Sequence, residues 1–169
     1  MIKTIGPIDS AKILEVYNNI ESGIQWTDFG HKGRQTGLQY REGTDPWADA
    51  VGRYQSVRET TYNLLNPYYK DTVFEEIIAE YNLYRTRLMW INPFACYSMH
   101  YDAAPRIHIP LITNPGCYFV FKRGTVEHLP VDSVYQVDTR YEHTFMNASG
   151  ETRLHLVGVV DEYATAISG

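Results

Sequence analysis

Two stretches near the start of the chain have apolar residues at helical spacing. The first follows Asp9 and Ser10, which are residue types that cap helices, and it ends before Gly23. Its apolar positions are Ile13, Leu14, Val16, Tyr17 and Ile20. The second is expected to begin at a cap on Asp71, and its apolar positions are Val73, Phe74, Ile77, Ile78 and Tyr81. The pattern predicts two amphipathic helices.

From Tyr84 onward the apolar period changes to two, which is typical of strands. Short runs separated by turn residues predict strands at Arg87–Ile91, Ala95–Tyr101, Arg106–Ile112, Cys117–Phe121, Ser133–Val137, His143–Asn147 and Arg153–Val160. The stretch from Gln25 to Asp49 is rich in Gly, Thr and charged residues and predicts loops and edge strands. Many short strands favour a sandwich, jelly roll or barrel. The chain lacks the strand and helix alternation and the glycine-rich loop of nucleotide-binding α/β folds.

The length of the chain limits the number of domains, and its net charge limits the possible partners. The 169 residues are expected to form a single domain. Fifteen Lys and Arg against twenty Asp and Glu give a net charge of -5, which argues against nucleic acid or an anionic membrane as a partner. The sequence shows neither a basic and apolar leader nor an apolar run long enough for a membrane span. We therefore expect a soluble, cytoplasmic protein, and the oligomeric state stays open.

The first motif that could form a functional site is His100-Tyr101-Asp102. His100 and Asp102 are two positions apart, so on an extended chain both side chains point to the same face. His143 follows 43 residues later at the start of a predicted strand. Two histidines and one carboxylate form the facial triad of non-haem Fe(II) oxygenases. Because the chain contains six histidines, a single His-x-Asp motif also arises by chance.

Arg153 lies ten residues after His143, and Ala148-Ser149-Gly150 between them is a turn signal. Residues 143–147 and 153–157 are therefore expected to form a hairpin. With an odd number of loop residues, His143 and Arg153 would share a face, with Cβ atoms within roughly 5–8 Å. A two-residue turn would point Arg153 away. An inward arginine needs an anionic partner such as a ligand carboxylate; the alternative is a surface arginine on an edge strand.

The predicted strand 106–112 separates polar from apolar side chains. Arg106 and His108 share one face, whereas the other face is apolar and belongs to the core. The polar face could be solvated. The short distance along the chain to His100 and Asp102 favours the alternative that it turns toward the same pocket. His155, two residues after Arg153, would share its face and could border the site.

Taken together, these motifs resemble the aspartyl/asparaginyl β-hydroxylase family of Fe(II)- and 2-oxoglutarate-dependent oxygenases. The resemblance covers about residues 84–160 and rests on His100-x-Asp102, Arg106-Ile-His108-Ile-Pro-Leu-Ile-Thr-Asn114-Pro, His143 followed by Asn147, and Arg153-Leu-His155-Leu-Val. It implies a mainly β (α+β) fold, with a double-stranded β-helix (jelly roll, cupin-like) core and N-terminal flanking helices. Residues 84–160 would form this catalytic core, and residues 1–83 would buttress it and select the substrate.

The resemblance also implies roles for the candidate residues. Fe(II) would be held by His100, Asp102 and His143, and Arg153 would pair with the distal carboxylate of 2-oxoglutarate. Arg106 and His108 would contact the same cosubstrate. In the family, residues of these types at the matching positions have these roles.

The implied activity is a dioxygenase that uses O₂ to hydroxylate an amino acid or a peptidyl residue, with release of succinate and CO₂. The expected partner is a small-molecule or peptide substrate. The acid at Asp102 argues against halogenase chemistry, in which related enzymes replace it to free a position for halide. The alternatives are the same chemistry on another target, such as a nucleobase, and a jelly-roll binding protein without turnover.

Overall fold

The structure is a computed structural model that describes residues 1–53 and 56–161. In these ranges the α-helices are α1 (Ser10–Ile20) and α2 (Val73–Glu80). The strands are β1 (Ile2–Pro7), β2 (Thr27–Asp28), β3 (Gly33–Gly37), β4 (Gln39–Tyr40), β5 (Leu64–Leu65), β6 (Leu83–Ile91), β7 (Ala95–Cys96), β8 (Arg106–Ile112), β9 (Cys117–Phe121), β10 (Val126–Glu127), β11 (Ser133–Val137), β12 (His143–Asn147) and β13 (Arg153–Val160). None of the described helices is long and apolar enough to cross a membrane.

Two antiparallel sheets form the body of the fold. The large sheet has the strand order β1-β11-β8-β13-β6-β3-β2, and the small sheet has the order β10-β9-β12-β7. The mainly β fold and its jelly-roll architecture are confirmed. The predicted bounds of β8, β9, β11, β12 and β13 are also correct.

The two helices pack on the outer face of the large sheet. Ile13 and Tyr17 of α1 and Phe74 of α2 join one apolar cluster with the outward residues of the central strands, such as Ile109 and Leu156. A second cluster, which includes Phe119, Phe145 and Val137, fills part of the space between the sheets. The central strands of the large sheet are therefore buried on both faces.

The caps of the helices follow the prediction at α1 and differ from it at α2. The Asp9 carboxylate accepts a hydrogen bond from the Lys12 amide at 2.9 Å, as an N-cap does. At α2 the cap is Thr72, whose hydroxyl accepts from the Phe74 amide at 3.3 Å. Asp71 lies one position earlier with a left-handed backbone (φ 59°), so the prediction of an Asp71 cap was wrong.

The N-terminal part of the chain contributes strands to the large sheet. β1 pairs with β11, and β3 lies between β2 and β6. The prediction of loops and edge strands at 25–49 was therefore wrong for Gly33–Gly37. The buried positions of β3 include the polar Gln35 and Thr36, so no apolar alternation marks this strand.

The predicted hairpin of residues 143–147 and 153–157 was also wrong. β12 pairs with β9 and β7, whereas β13 pairs with β6 and β8 in the other sheet. The side-chain amide of Asn147 donates to the carbonyls of Glu151 at 2.7 Å and Asn92 at 3.1 Å, and it fixes the segment where the chain crosses between the sheets. Arg153 and His143 therefore belong to opposite sheets.

Candidate functional site

A cavity of about 620 Å³ opens between the inner faces of the two sheets. This volume is typical of small-ligand sites. The six residues that the sequence singles out all line it: His100, Asp102, Arg106, His108, His143 and Arg153. The polar face of β8 is therefore turned into the cavity, and the solvated alternative does not apply.

His100, Asp102 and His143 form a compact cluster at this cavity. Each offers one ligand atom, and these atoms lie within 4.8 Å of one another. The Nε2 atom of His143 is 3.9 Å from Oδ2 of Asp102. The two imidazole centroids are 4.5 Å apart. The donors can therefore converge on one ion.

Main-chain hydrogen bonds hold the three residues in place. His100 and His143 exchange amide-to-carbonyl bonds of 2.9 Å, although one belongs to a loop and the other to β12. The Asp102 amide donates to the carbonyl of Thr139 at 2.9 Å. The loop 98–102 is thus pinned across the end of the small sheet, and this brings the two distant parts of the motif together.

Hydrogen bonds also fix which ring nitrogen of each histidine is available. Nδ1 of His143 is 2.8 Å from the carbonyl of Tyr141, and Nδ1 of His100 is 2.8 Å from the carbonyl of Ser98. Because a carbonyl oxygen can only accept, Nδ1 must carry the proton in both rings. In the neutral ring Nε2 then keeps its lone pair, which is the arrangement that metal-binding histidines use.

The charge states in the cluster suit a cation. Burial lowers the pKa of His143, which favours the neutral ring that a metal needs. Burial alone would raise the pKa of Asp102, but the guanidinium groups of Arg106 and Arg87 together hold it below its usual value. Two imidazoles and one carboxylate fit a mononuclear non-haem metal centre.

Arg153 projects from β13 into the cavity and is only 1% exposed. Its guanidinium lies 3.4 Å from the centroid of the Phe145 ring on the opposite sheet, and it contacts Nδ1 of His155. No carboxylate forms an ion pair with it within residues 1–53 and 56–161. Burial lowers the pKa of Arg153 to about 9. A buried guanidinium of this kind calls for an anionic ligand.

His108 and His155 lie beside Arg153 and are also buried. Burial, with a further contribution from the Arg153 charge, holds the pKa of each ring well below its usual value, so both rings are neutral. His108 packs against Phe119, with ring centroids 4.9 Å apart. Its Nδ1 atom has no hydrogen-bond partner among the described residues. One polar atom next to Arg153 is therefore available to a ligand.

Arg106 is bonded to two acids. Its guanidinium donates to both carboxylate oxygens of Glu59 at 2.8 Å and lies 3.2 Å from Oδ1 of Asp102. Glu59 also accepts from Arg85 at 2.6 Å. Arg106 thus orients the carboxylate of the metal-ligand cluster, and its contact with a cosubstrate stays a prediction.

Comparison with known proteins identifies the family. A sequence profile of the aspartyl/asparaginyl β-hydroxylase family matches residues 18–161, which is most of the chain. The chain belongs to this family. Membership confirms the resemblance read from the motifs and assigns the protein a hydroxylase-type function. Among curated proteins no sequence relative matches the chain.

Solved structures that resemble this aspartyl/asparaginyl β-hydroxylase family member include two oxygenases and a lyase. A 2OG-Fe(II) oxygenase family oxidoreductase from Burkholderia pseudomallei is 18% identical over 86% of this chain and 76% of its own, with a TM-score of 0.53. A prolyl-4-hydroxylase from Pseudomonas putida is 10% identical over 94% and 90%, with a TM-score of 0.54. The DMSP lyase DddQ from Ruegeria pomeroyi is 12% identical over 96% and 79%, with a TM-score of 0.51. At these identities the likeness shows the fold, and the chemistry must be argued from the site.

Sequence reasoning did not find several polar residues at or behind the cavity wall of this family member. Glu59, Arg85, Arg87 and Gln35 lie at or behind the cavity wall. Arg87 could have been found, because it alternates with Met89 and Ile91 on one strand face and is the charged member of that face. Glu59 had no such signal, because its partner Arg106 is 47 residues away and the intervening pattern is irregular.

Proposed function

We propose that the protein is an Fe(II)- and 2-oxoglutarate-dependent dioxygenase that hydroxylates an amino acid or a peptidyl residue. The observation that supports this best is the pairing of two features in one cavity. The His100, Asp102 and His143 donors converge within 4.8 Å, and Arg153 is buried nearby without an acidic partner. The first feature fits the metal, and the second fits an acid that binds beside it.

In this proposal Nε2 of His100, a carboxylate oxygen of Asp102 and Nε2 of His143 hold Fe(II). Bound Fe(II), 2-oxoglutarate and O₂ supply the oxidation of a substrate C–H bond, coupled to loss of CO₂ and formation of succinate. The carbonyls of Ser98 and Tyr141 keep the histidine rings oriented, because they accept the Nδ1 protons. Arg106 holds the Asp102 carboxylate at its other oxygen.

In this proposal Arg153 and the residues around it bind the cosubstrate. Its guanidinium would bind the distal carboxylate of 2-oxoglutarate, and Phe145 limits where that guanidinium can lie. His108 is neutral and buried, so it can donate to or accept from the cosubstrate without adding a charge. The apolar rings of Phe119 and Phe145 exclude water from this end of the cavity.

An anaerobic titration tests the proposal directly. The protein is mixed with Fe(II) and 2-oxoglutarate without oxygen, and we expect a charge-transfer absorption band that neither component gives alone. Admission of oxygen should then produce succinate. Absence of the band, together with no retention of iron after desalting, would contradict the proposal.

His143→Ala is the first variant to examine. It removes one of three ligand donors while leaving the main-chain bonds to His100 intact. We expect loss of Fe(II) binding and of succinate formation, with an unchanged far-ultraviolet circular dichroism spectrum. His31→Ala, in the short 3₁₀ turn Gly30–Lys32 and not among the residues that line the cavity, is the matched control and should behave as the parent. If His143→Ala turns over 2-oxoglutarate at the parent rate, the ligand assignment is wrong.

A further inference from the structure

His155 is the hydrogen-bond acceptor that the structure places beside the guanidinium of Arg153. Its Nδ1 atom contacts Nη2 of Arg153. Within residues 1–53 and 56–161 no other acceptor bonds to this guanidinium, and its Nε atom has no partner. Both side chains are 1% exposed, and both pack against Phe145 of the small sheet. A buried contact therefore links the cavity arginine to a second residue of its own strand.

The contact determines where the proton of the His155 ring lies. A guanidinium has N–H donors and no acceptor, so Nδ1 of His155 must be unprotonated and supply its lone pair. The proton of the neutral ring is then on Nε2. Burial, with a further contribution from the Arg153 charge, lowers the pKa of His155 well below its usual value, which agrees with a neutral ring. The acceptor beside Arg153 therefore carries no charge.

Packing on its other sides limits the rotation of the His155 ring. Its centroid is 5.8 Å from that of His108, with the planes at 73°, and 5.9 Å from that of Phe145, with the planes at 61°. Tilted and edge-on contacts of this kind are favourable between aromatic rings. His155 is also paired with Met89 of β6 and Pro110 of β8, so it lies inside the large sheet. Its Nδ1 atom is therefore kept in one position relative to Arg153.

Two contacts fix the plane of the Arg153 guanidinium. The ring of Phe145 lies against its face, with 3.4 Å between Cζ and the ring centroid, and His155 accepts an N–H at its edge. The remaining N–H groups are left for a ligand. Arg153 lines the cavity, whereas His155 is not among the residues that line it. His155 therefore acts on a cavity ligand through Arg153.

The neutral state of the acceptor matters for the ligand. A carboxylate in the place of His155 would form a buried ion pair with Arg153 and neutralise it. An apolar side chain would leave a further N–H buried without a partner and the guanidinium free to turn. A neutral ring nitrogen avoids both effects, because it orients the guanidinium and leaves its charge for an anion.

We propose that His155 is a positioning residue, which holds Arg153 in the orientation that binds the distal carboxylate of the cosubstrate and leaves the charge of Arg153 unpaired. This inference rests on the proposed dioxygenase function. The influence of His155 should be confined to ligands that place a carboxylate at Arg153. The affinity of the His100, Asp102 and His143 cluster for a metal should not depend on it.

The tautomer of His155 is measured without iron or cosubstrate. In the metal-free protein labelled with ¹⁵N-histidine, the ring signals that disappear in His155→Asn identify this residue. At neutral pH we expect Nδ1 to be unprotonated and Nε2 to carry the proton. A His155 ring protonated on Nδ1 would overturn the inference, whatever the activity of the protein.

Three substitutions separate the role of the acceptor from that of charge. His155→Leu removes the acceptor, so we expect the Kd of 2-oxoglutarate, measured from the anaerobic Fe(II) band, to rise about 5-fold to 10-fold. His155→Asn places an oxygen as many bonds from Cβ as Nδ1 and should recover most of this loss. His155→Asp should raise Kd about 100-fold, because its carboxylate competes for Arg153. A Leu variant that binds as tightly as the parent, or an Asp variant that binds as tightly as the Asn variant, would overturn the inference.

A second ligand separates positioning from general damage to the site. 2-Oxopentanoate has the carbon chain of 2-oxoglutarate but ends in a methyl group, so it has no carboxylate for Arg153. We expect its Kd, and that of Mn(II) alone, to be the same in the parent and in His155→Leu. An equal loss of affinity for both oxoacids, or a weaker affinity for Mn(II), would indicate a structural role and overturn the inference.

The matched control is His31→Leu, which changes an exposed histidine of the turn Gly30–Lys32 that does not line the cavity. It should leave the Kd of 2-oxoglutarate unchanged. A parent protein that gives no anaerobic band would contradict the dioxygenase proposal itself. The tautomer of His155 would still show whether its contact with Arg153 exists, so the two failures are distinguishable.

Discussion

Glu59 determines how the buried charges around Asp102 are balanced. It is 5% exposed and binds Arg85 and Arg106 together. Because both branches of the Arg106 fork are engaged by Glu59, Arg106 takes only Oδ1 of Asp102, and Oδ2 stays directed toward His143. A carboxylate far from the ligand motif thus helps keep one oxygen of Asp102 available for a metal.

Glu59→Gln should reveal this dependence. The change preserves the shape of the side chain but leaves two buried guanidinium groups with less negative charge, so we expect the free energy of unfolding to fall by about 3 kcal/mol or more. The affinity for Mn(II), used as a redox-stable probe, should fall about 10-fold as Arg106 moves onto Asp102. Urea unfolding and metal titration measure the two effects. Glu142→Gln, which breaks an exposed pair with Lys122, should change neither, and equal effects of the two variants would contradict the argument.

Sequence reasoning correctly placed the pairs of site residues that are close together along the chain. His100 and Asp102 are two residues apart, and Arg106 and His108 share one face of β8, so short-range geometry was sufficient to place each pair in the cavity. The relation of His143 to Arg153 was predicted from a hairpin that does not exist. That both residues line one cavity is a long-range property of two facing sheets, which no turn signal between them can encode.

At the level of elements, the bulge in β6 decides which arginines reach the cavity. Arg85 has a left-handed backbone (φ 48°), and the register between β6 and β13 shifts at this point. Leu83 and Leu88 consequently belong to the outer core, whereas Arg85 and Arg87 both line the cavity. The extra residue interrupts the alternation of apolar and polar positions. This explains why the sequence placed the start of the strand at Arg87 instead of Leu83.

Gly33 makes the attachment of β3 to β6 sensitive to a single methyl group. Its φ of 133° is rarely adopted by other residues, and a Cβ atom there would lie 1.9 Å from the carbonyl oxygen of Trp90. We expect Gly33→Ala to lower the free energy of unfolding by about 2 kcal/mol or more. It should also disturb the cavity wall, because Gln35 two residues later lines it. Gly6→Ala in β1, where a Cβ meets nothing within 4 Å, is the control in the same urea experiment. Equal unfolding curves for the two variants would refute the expected strain.

On the scale of the whole molecule, the site exists only when both sheets are packed together. His143 and Phe145 come from the small sheet, whereas His108, His155 and Arg153 come from the large one. Closure of the two sheets buries histidine rings that are exposed in the unfolded chain. Folding is therefore linked to the release of protons.

The stability of the metal-free protein should depend on pH in a defined direction. Because burial lowers the pKa of His108 and His155 well below 6.5, the unfolded chain binds more protons than the folded one below that pH. The free energy of unfolding should then fall as pH decreases from about 7 to about 5, by up to about 1.4 kcal/mol per pH unit for each histidine. His155→Gln can still accept from Arg153 and should flatten this slope by about one histidine's share. Urea unfolding across this pH range measures the slope, and an unchanged slope in the variant would be inconsistent with a neutral, buried His155.

The edge strands of the sheets determine how readily copies of the chain can pair with one another. Among the described strands, three of the four edge strands of the two main sheets (β2, β7 and β10) are only two residues long. The fourth, β1, has a register shift between Thr4 and Gly6, carries Lys3 and ends at Pro7. Short, charged, irregular or proline-terminated edges are poor templates for the addition of a strand from another molecule. The sandwich can therefore keep an open cavity between its sheets without presenting the long, flat edge from which β-sheet aggregates grow.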